Sequence, residues 1–157
     1  MKIIDTFITC ADDSNAVMGR VPPARDDARG AERTIARLHY DLLSDHPYEF
    51  DLDGFNFEVY CLKNHIAPGH RDAHRAEFFA KGHPCMRASP LTRSYGFGAH
   101  YDGAGRIAIY PVDSKAYAKF VADDGIKKEP AMRSRRPSTE AAGANPGAGP
   151  EPVKPAA

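Results

Sequence analysis

One stretch near the middle of the chain constrains the fold most, because its register follows from its residues. Residues 95–110 read "YGFGAHYDGAGRIAIY", and two alternating runs around a glycine-containing turn are typical of a β-hairpin. A three-residue loop that ends at Gly105 in the left-handed conformation pairs Asp102 with Arg106. A two-residue turn would mix polar and apolar side chains on both faces, since one slip in register exchanges the faces. We therefore predict the three-residue loop.

This register sorts the hairpin into two unlike faces. The large apolar side chains share one face, which comprises Phe97, Ala99, Tyr101, Ile107 and Ile109. The opposite face, which we call the glycine face, comprises Gly96, Gly98, His100, Asp102, Arg106, Ala108 and Tyr110. Small residues ringed by polar groups predict a shallow groove, and a concavity with convergent polar groups is the usual signature of a ligand site. Alternatively, Tyr110 covers the bare backbone of Gly98 and the glycines serve folding alone.

The stretch before the hairpin supplies groups suited to an anion. Residues 84–95 read "PCMRASPLTRSY", and a guanidinium offers a planar fork of donors that matches carboxylate or phosphate. If this stretch folds over the glycine face, an anionic ligand would be surrounded by Arg87, Ser89, Tyr95, Gly96, Gly98, His100 and Tyr110. If it does not, Arg87 and Arg93 are ordinary surface charges.

The same residues leave open whether the protein is an enzyme. His100 is the candidate catalytic residue, as a general base, because imidazole titrates near neutral pH. Ser89 is a candidate nucleophile only if a base reaches its hydroxyl, and nothing in the spacing shows one.

A competing site lies in the stretch "GHRDAHRAEFFAKG" at 69–82. On a helix, His70, His74 and Glu77 stand at i, i+4 and i+7 and share one stripe, and imidazole with carboxylate suits zinc, iron or copper. The pair lacks the intervening Glu of the H-E-x-x-H motif, and the neighbouring charges indicate a solvated face. We therefore expect no bound metal and no cofactor.

The remaining segments predict an α+β fold. Residues 2–10 are rich in β-branched and aromatic side chains, which favours a strand. Residues 34–45 and 53–63 fit both helical spacing and strand alternation, and their length favours helices. Helices are also predicted at 70–82, ending near Gly82, and at 113–125. The simplest assembly is a small antiparallel sheet, made of the N-terminal strand and the hairpin, packed with several helices.

Composition bounds the domain organisation and the partners. The 157 residues suffice for one domain, expected at 1–129, with an Ala/Pro/Gly-rich tail at 130–157 that cannot offset its ordering entropy. Residues 19–33 are expected to be a surface loop. The chain has 21 Lys and Arg residues and 21 Asp and Glu residues. Its formal net charge is therefore zero, and no net electrostatic field attracts nucleic acid or a membrane surface. With no long apolar stretch and three scattered cysteines, we expect a cytoplasmic protein without disulfides.

The hairpin and its flanks resemble a family of small bacterial proteins described as a domain of unknown function. The likeness is carried by "FFAKGHPCMRASPLTRSYGFGAHYDGAGRIAIY" through residue 110, by "IDTF" near the start and by "HPYEF" at 46–50. It covers residues 2 to about 136. The family pattern has an aromatic residue, often Trp, where Phe97 stands here, and it leaves out the His70 and His74 pair. The resemblance implies no reaction, ligand or cofactor.

Three function classes follow from these observations. The first is a site for a small anionic ligand, binding or enzymatic, on the glycine face. The second is a protein-interaction or structural module, homo-oligomers included, in which the apolar hairpin face or the "HPYEF" segment meets a partner. The third is metal-dependent hydrolysis through the histidine helix.

Overall fold

The computed structural model describes residues 2–24 and 33–134. The elements of this part, in chain order, are β1 (Thr6–Thr9), α1 (Ile35–Asp45), α2 (Leu52–Lys63), α3 (Arg71–Phe79), α4 (Pro90–Arg93), β2 (Phe97–Tyr101), β3 (Ile107–Pro111), α5 (Lys115–Ala122) and β4 (Lys127–Pro130). Short 3-10 turns stand at Pro68–His70 and Met86–Ala88. Most of the expected 19–33 loop and nearly all of the expected tail lie outside the described residues.

The four strands form one mixed sheet in the order β3-β2-β1-β4. β2 pairs antiparallel with β1 and with β3, whereas β4 runs parallel to β1. The α+β prediction is confirmed, and β4 is an addition to the predicted sheet. Its residues, "KKEP", carry no apolar alternation that could predict a strand. Beyond it, Ala131 is buried and its amide donates to the Thr9 carbonyl, so the fold continues past residue 129.

The hairpin has the predicted register. Ala99 lies opposite Ile109, and the Asp102 amide donates to the Arg106 carbonyl at 2.9 Å. Gly105 has a φ of +81°, as the three-residue loop requires. The Asp102 carboxylate accepts hydrogen bonds from the Ala104 and Arg106 amides, which holds the turn closed.

Both ambiguous segments are helices, as their length favoured. Thr34 caps α1 by accepting from the Arg37 amide, and Asp51 caps α2 by accepting from the Gly54 amide. The helix predicted at 70–82 is also present and ends at Phe79, three residues before Gly82.

The sheet is covered on both faces. The apolar face of the hairpin packs with Ile8 into the main core, against Leu38, Leu42, Leu43, Phe55, Val59 and Leu91 from α1, α2 and α4. On the other face, Phe7 meets the rings of Tyr117 and Phe120 from α5, at centroid distances of 5.1 and 4.9 Å. The apolar hairpin face is therefore occupied within the chain.

The "HPYEF" segment lies along the free edge of β3. The Tyr48 amide donates to the Ile107 carbonyl at 2.8 Å, and the Ile107 amide donates to the Phe50 carbonyl at 2.9 Å. Tyr48 holds a φ of +61°, which turns its ring towards the face opposite to Phe50. Among the described residues, no helix is long and apolar enough to cross a membrane.

Candidate functional site

Contacts inside the protein explain both glycines proposed for the ligand site. A Cβ on Gly98 would lie 2.4 Å from the Phe7 ring and 2.7 Å from the Tyr117 ring. A Cβ on Gly96, whose φ is +81°, would lie 2.3 Å from the Met18 carbonyl oxygen. The expected shallow groove over the glycine face is thus filled by Phe7 and α5, so these glycines permit close packing.

His100 belongs to a hydrogen-bonded cluster at the rim of this face. Its Nδ1 lies 2.8 Å from the Tyr48 hydroxyl, which lies 2.7 Å from the Tyr110 hydroxyl, and the Phe120 ring stacks on the imidazole at 4.2 Å. We call Tyr48, His100 and Tyr110 the Tyr–His–Tyr cluster. Tyr48 was missed by sequence reasoning, because 52 residues separate it from His100.

The electrostatics of this cluster do not favour an anion. Burial lowers the pKa of His100, against the opposing effect of the carboxylates of Asp102, Asp5 and Asp123. Burial also raises the pKa of the Tyr48 hydroxyl, and Tyr110 adds to the rise. These shifts favour the uncharged forms of His100 and Tyr48, and the surrounding carboxylates repel an anionic ligand.

Arg87 and Ser89 lie across the sheet from His100. Arg87 donates from Nε to the Pro130 carbonyl at 2.7 Å, which ties it to β4. The Ser89 hydroxyl lies 2.8 Å from Nδ1 of His39, a residue of α1 whose ring packs on Phe55 in the core layer. The stretch 84–95 therefore does not fold over the glycine face, and Arg87 and Ser89 are not brought together with His100 and Tyr110.

Ser89 meets a base, the imidazole of His39. Burial lowers the pKa of His39 to about 4, so its imidazole is neutral at neutral pH. Ser89 is 2% exposed, and its hydroxyl also accepts from the Leu91 amide as the cap of α4. Because the Ser89 hydroxyl is buried and hydrogen-bonded both to His39 and to the Leu91 amide, the pair serves the fold.

A catalytic role for His100 stays a prediction, as does ligand binding by the seven residues proposed from the sequence.

Another concavity brings arginines together near the start of the hairpin. A cleft of about 440 Å³ is lined by Asp13, Ser14, Asn15, Ala16, Arg20, Arg93, Ser94 and Ser134. We call it the arginine cleft. Tyr95, one of the seven predicted ligand residues, lies at its edge with its ring 5.2 Å from the Arg20 guanidinium.

The walls of the arginine cleft come from three chain segments tied by backbone hydrogen bonds. The Ala11 amide donates to the Thr92 carbonyl at 3.0 Å, and the Arg20 amide donates to the Tyr95 carbonyl at 2.9 Å. The Ser134 amide donates to a carboxylate oxygen of Asp13 at 3.0 Å. These ties hold the cleft in shape without a ligand, so binding would cost little ordering entropy.

Both guanidiniums are anchored in part and retain donors. Arg20 donates to the Ser94 carbonyl at 3.1 Å, and Arg93 donates to the Arg133 carbonyl at 3.3 Å. The Nε of Arg93 is buried and has no hydrogen-bond partner among the described residues. Sequence reasoning placed Arg20 in a surface loop and Arg93 among free charges, since no local signal links them.

The histidine helix lies apart from the Tyr–His–Tyr cluster and from the arginine cleft. His70 precedes α3, and the ring of His74 lies 6.5 Å from that of Tyr60 on α2. In the part of the chain that the structure describes, no group of three or more His, Cys, Asp or Glu residues is placed to hold a metal ion. Glu77 and the two histidines stay weak candidates.

Comparison with known proteins identifies a family whose function is unknown. The sequence profile of DUF6157, a family of unknown function, matches residues 1–137. No curated protein and no solved structure shows a significant match.

Proposed function

The chain belongs to DUF6157, a family of unknown function, and from its geometry we propose that it binds a small anionic ligand in the arginine cleft. One observation carries the proposal: Arg20 and Arg93 line the same preformed concavity. The planar donor fork of arginine matches carboxylate and phosphate oxygens.

Hydroxyl groups complete the donor set. The Ser14 hydroxyl oxygen accepts from the Ala16 amide, so its own proton is free to be donated. Asp13 also lines the cleft, with one oxygen engaged by the Ser134 amide. Its carboxylate is the opposing charge in the cleft, against the two guanidiniums of Arg20 and Arg93.

Calorimetry with inorganic phosphate, sulfate and citrate tests the proposal. Arg20→Ala and Arg93→Ala should each weaken binding by about tenfold or more, because each removes a charge-assisted hydrogen bond of about 1.5–3 kcal/mol. Arg106→Ala is the matched control, since Arg106 is exposed at the hairpin turn. The hydrogen bond from its backbone amide to the Asp102 carboxylate survives the change.

His100→Ala separates this cleft from the glycine face. It should leave anion affinity unchanged if the arginine cleft is the site. Anion binding that His100→Ala abolishes, or that survives both arginine substitutions, would contradict the proposal, as would a lack of binding at millimolar anion.

A further inference from the structure

A larger cleft lies between α2 and the segment that follows α3. It measures about 570 Å³, and its lining includes Ile3, Leu52, Asp53, Asn56, Phe79 and His83. A smaller cleft of about 240 Å³ shares Ile3, Leu52 and Asp53 with it and extends it towards Gly105. Neither has a residue in common with the arginine cleft. We propose that this composite cleft, which we call the amine cleft, binds a ligand with an apolar body and a protonated amine.

Apolar side chains form part of the wall. Ile3 and Leu52 are partly buried and pack against the main core, which holds them in place. Phe79 is 39% exposed, a large solvated surface for a phenylalanine that faces a concavity. A ligand with a ring or an aliphatic body would remove this surface from water, which is favourable.

The polar groups contributed by α2 present acceptors. Asp53 and Asn56 are three residues apart on the helix and therefore lie on neighbouring positions of one stripe. The Asn56 side chain donates from Nδ2 to the Pro84 carbonyl at 3.0 Å, which leaves its Oδ1 as an acceptor. Together with the Asp53 carboxylate, this stripe offers two oxygen acceptors to the cleft.

The facing segment contributes His83, whose ring is fixed in position. Nε2 of His83 lies 2.7 Å from the Phe78 carbonyl oxygen, and a carbonyl can only accept, so Nε2 carries a proton and donates it. The ring is held in place by stacking on Phe78 at 3.7 Å.

An amine ligand supplies donors to these acceptors. An ammonium group carries three N–H donors and a positive charge that pairs with the Asp53 carboxylate. Lys2 and Lys81 line the composite cleft and are the opposing charges, and both are exposed on flexible side chains. A carboxylate ligand would instead face the Asp53 carboxylate and the Asn56 oxygen, which project from one helix, so the chemistry favours an amine.

Phenethylamine is the probe, with 3-phenylpropionate and 2-phenylethanol as ligands of similar shape and different charge. Titration followed by NMR should show shifts at the Asn56 side-chain amide with phenethylamine, and weaker or absent shifts with the other two. Asp53→Asn should weaken phenethylamine about fivefold, the most expected for an exposed charge pair. Lys81→Ala should strengthen it about twofold, because a like charge is removed.

Asp72→Asn is the matched control, since the Asp72 side chain is fully exposed on α3 at 100%. It should leave the affinity for phenethylamine unchanged. Asp53→Asn keeps the α2 cap, which is the Asp51 side chain, and thermal melting verifies that each variant is folded. Equal or stronger binding of 3-phenylpropionate, an affinity insensitive to Asp53→Asn, or no binding at 10 mM phenethylamine would overturn the proposal.

Discussion

At the scale of single residues, the buried His39–Ser89 pair links stability to pH. The pKa of His39 is lowered to about 4 by burial, from 6.5 in an exposed chain. Between those values the unfolded state binds more protons than the folded state, so stability falls as the pH is lowered. The contribution of the neutral His39 ring to the free energy of unfolding is fully present above pH 6.5 and is lost as the pH falls towards 4. The loss amounts to up to about 3 kcal/mol.

Urea unfolding at pH 7 and at pH 4.5 measures this loss. His39→Gln removes the titrating ring and keeps an acceptor for Ser89. The variant should be less stable than the wild type at pH 7, yet it should lose less stability on acidification. An equal loss of stability in both proteins would show that His39 does not cause the destabilisation at acidic pH.

Gly96 is the residue whose replacement is expected to be the most costly in the hairpin. Gly96→Ala places a methyl group in the left-handed region and against the Met18 carbonyl oxygen, which should cost about 2 kcal/mol or more. Gly82→Ala is the matched control, because its Cβ would meet nothing within 4 Å and its φ is not in the left-handed region. Urea unfolding should show a change of under about 0.5 kcal/mol for the control.

At the scale of elements, the Tyr–His–Tyr cluster fastens the 46–50 segment to the edge of β3. Edge strands expose unpaired backbone groups, and this segment covers part of one edge. Tyr48→Phe removes two hydroxyl contacts and should cost about 1 kcal/mol. Hydrogen exchange of the Ile107 amide, which donates to Phe50, should accelerate.

Tyr60→Phe is the control for that change, since the Tyr60 hydroxyl takes part in none of the hydrogen bonds seen among the described residues. It should leave Ile107 exchange unaltered. Unchanged exchange in Tyr48→Phe would mean that the backbone pairs alone hold the segment.

At the scale of the whole molecule, the end of the domain is built around β4. The Met132 amide donates to the Arg87 carbonyl at 2.8 Å, and Ser134 closes the arginine cleft. A chain that ends at residue 129 loses these contacts and buried Ala131, so its melting temperature should fall by roughly 5 °C or more. Its anion affinity should fall with it.

A chain that ends at residue 137, where the family match ends, is the matched truncation. It keeps every described residue, and thermal melting should place its midpoint within about 2 °C of the full chain, a shift of well under 1 kcal/mol. A large loss on removal of residues 138–157 would show that the Ala/Pro/Gly-rich segment contributes to the fold.

The sequence by itself determined the local structure. Alternation and turn chemistry defined the 95–110 register, including the left-handed Gly105, and segment length together with helical spacing favoured helices at α1, α2 and α3. These signals are local, because turns, caps and periodicity depend on residues a few positions apart. β4 was not predicted because its residues lack the apolar alternation of a strand. Its pairing with β1 holds it in the sheet instead.

Only the tertiary structure decided what lies against each face and which side chains meet. Phe7 and α5 fill the glycine face, and His39 reaches Ser89 from 50 residues away. The arginine cleft joins segments near residues 13–20, 93–94 and 134. Such contacts are set by the packing of distant elements, and a single sequence carries no local signal of which distant residues will meet.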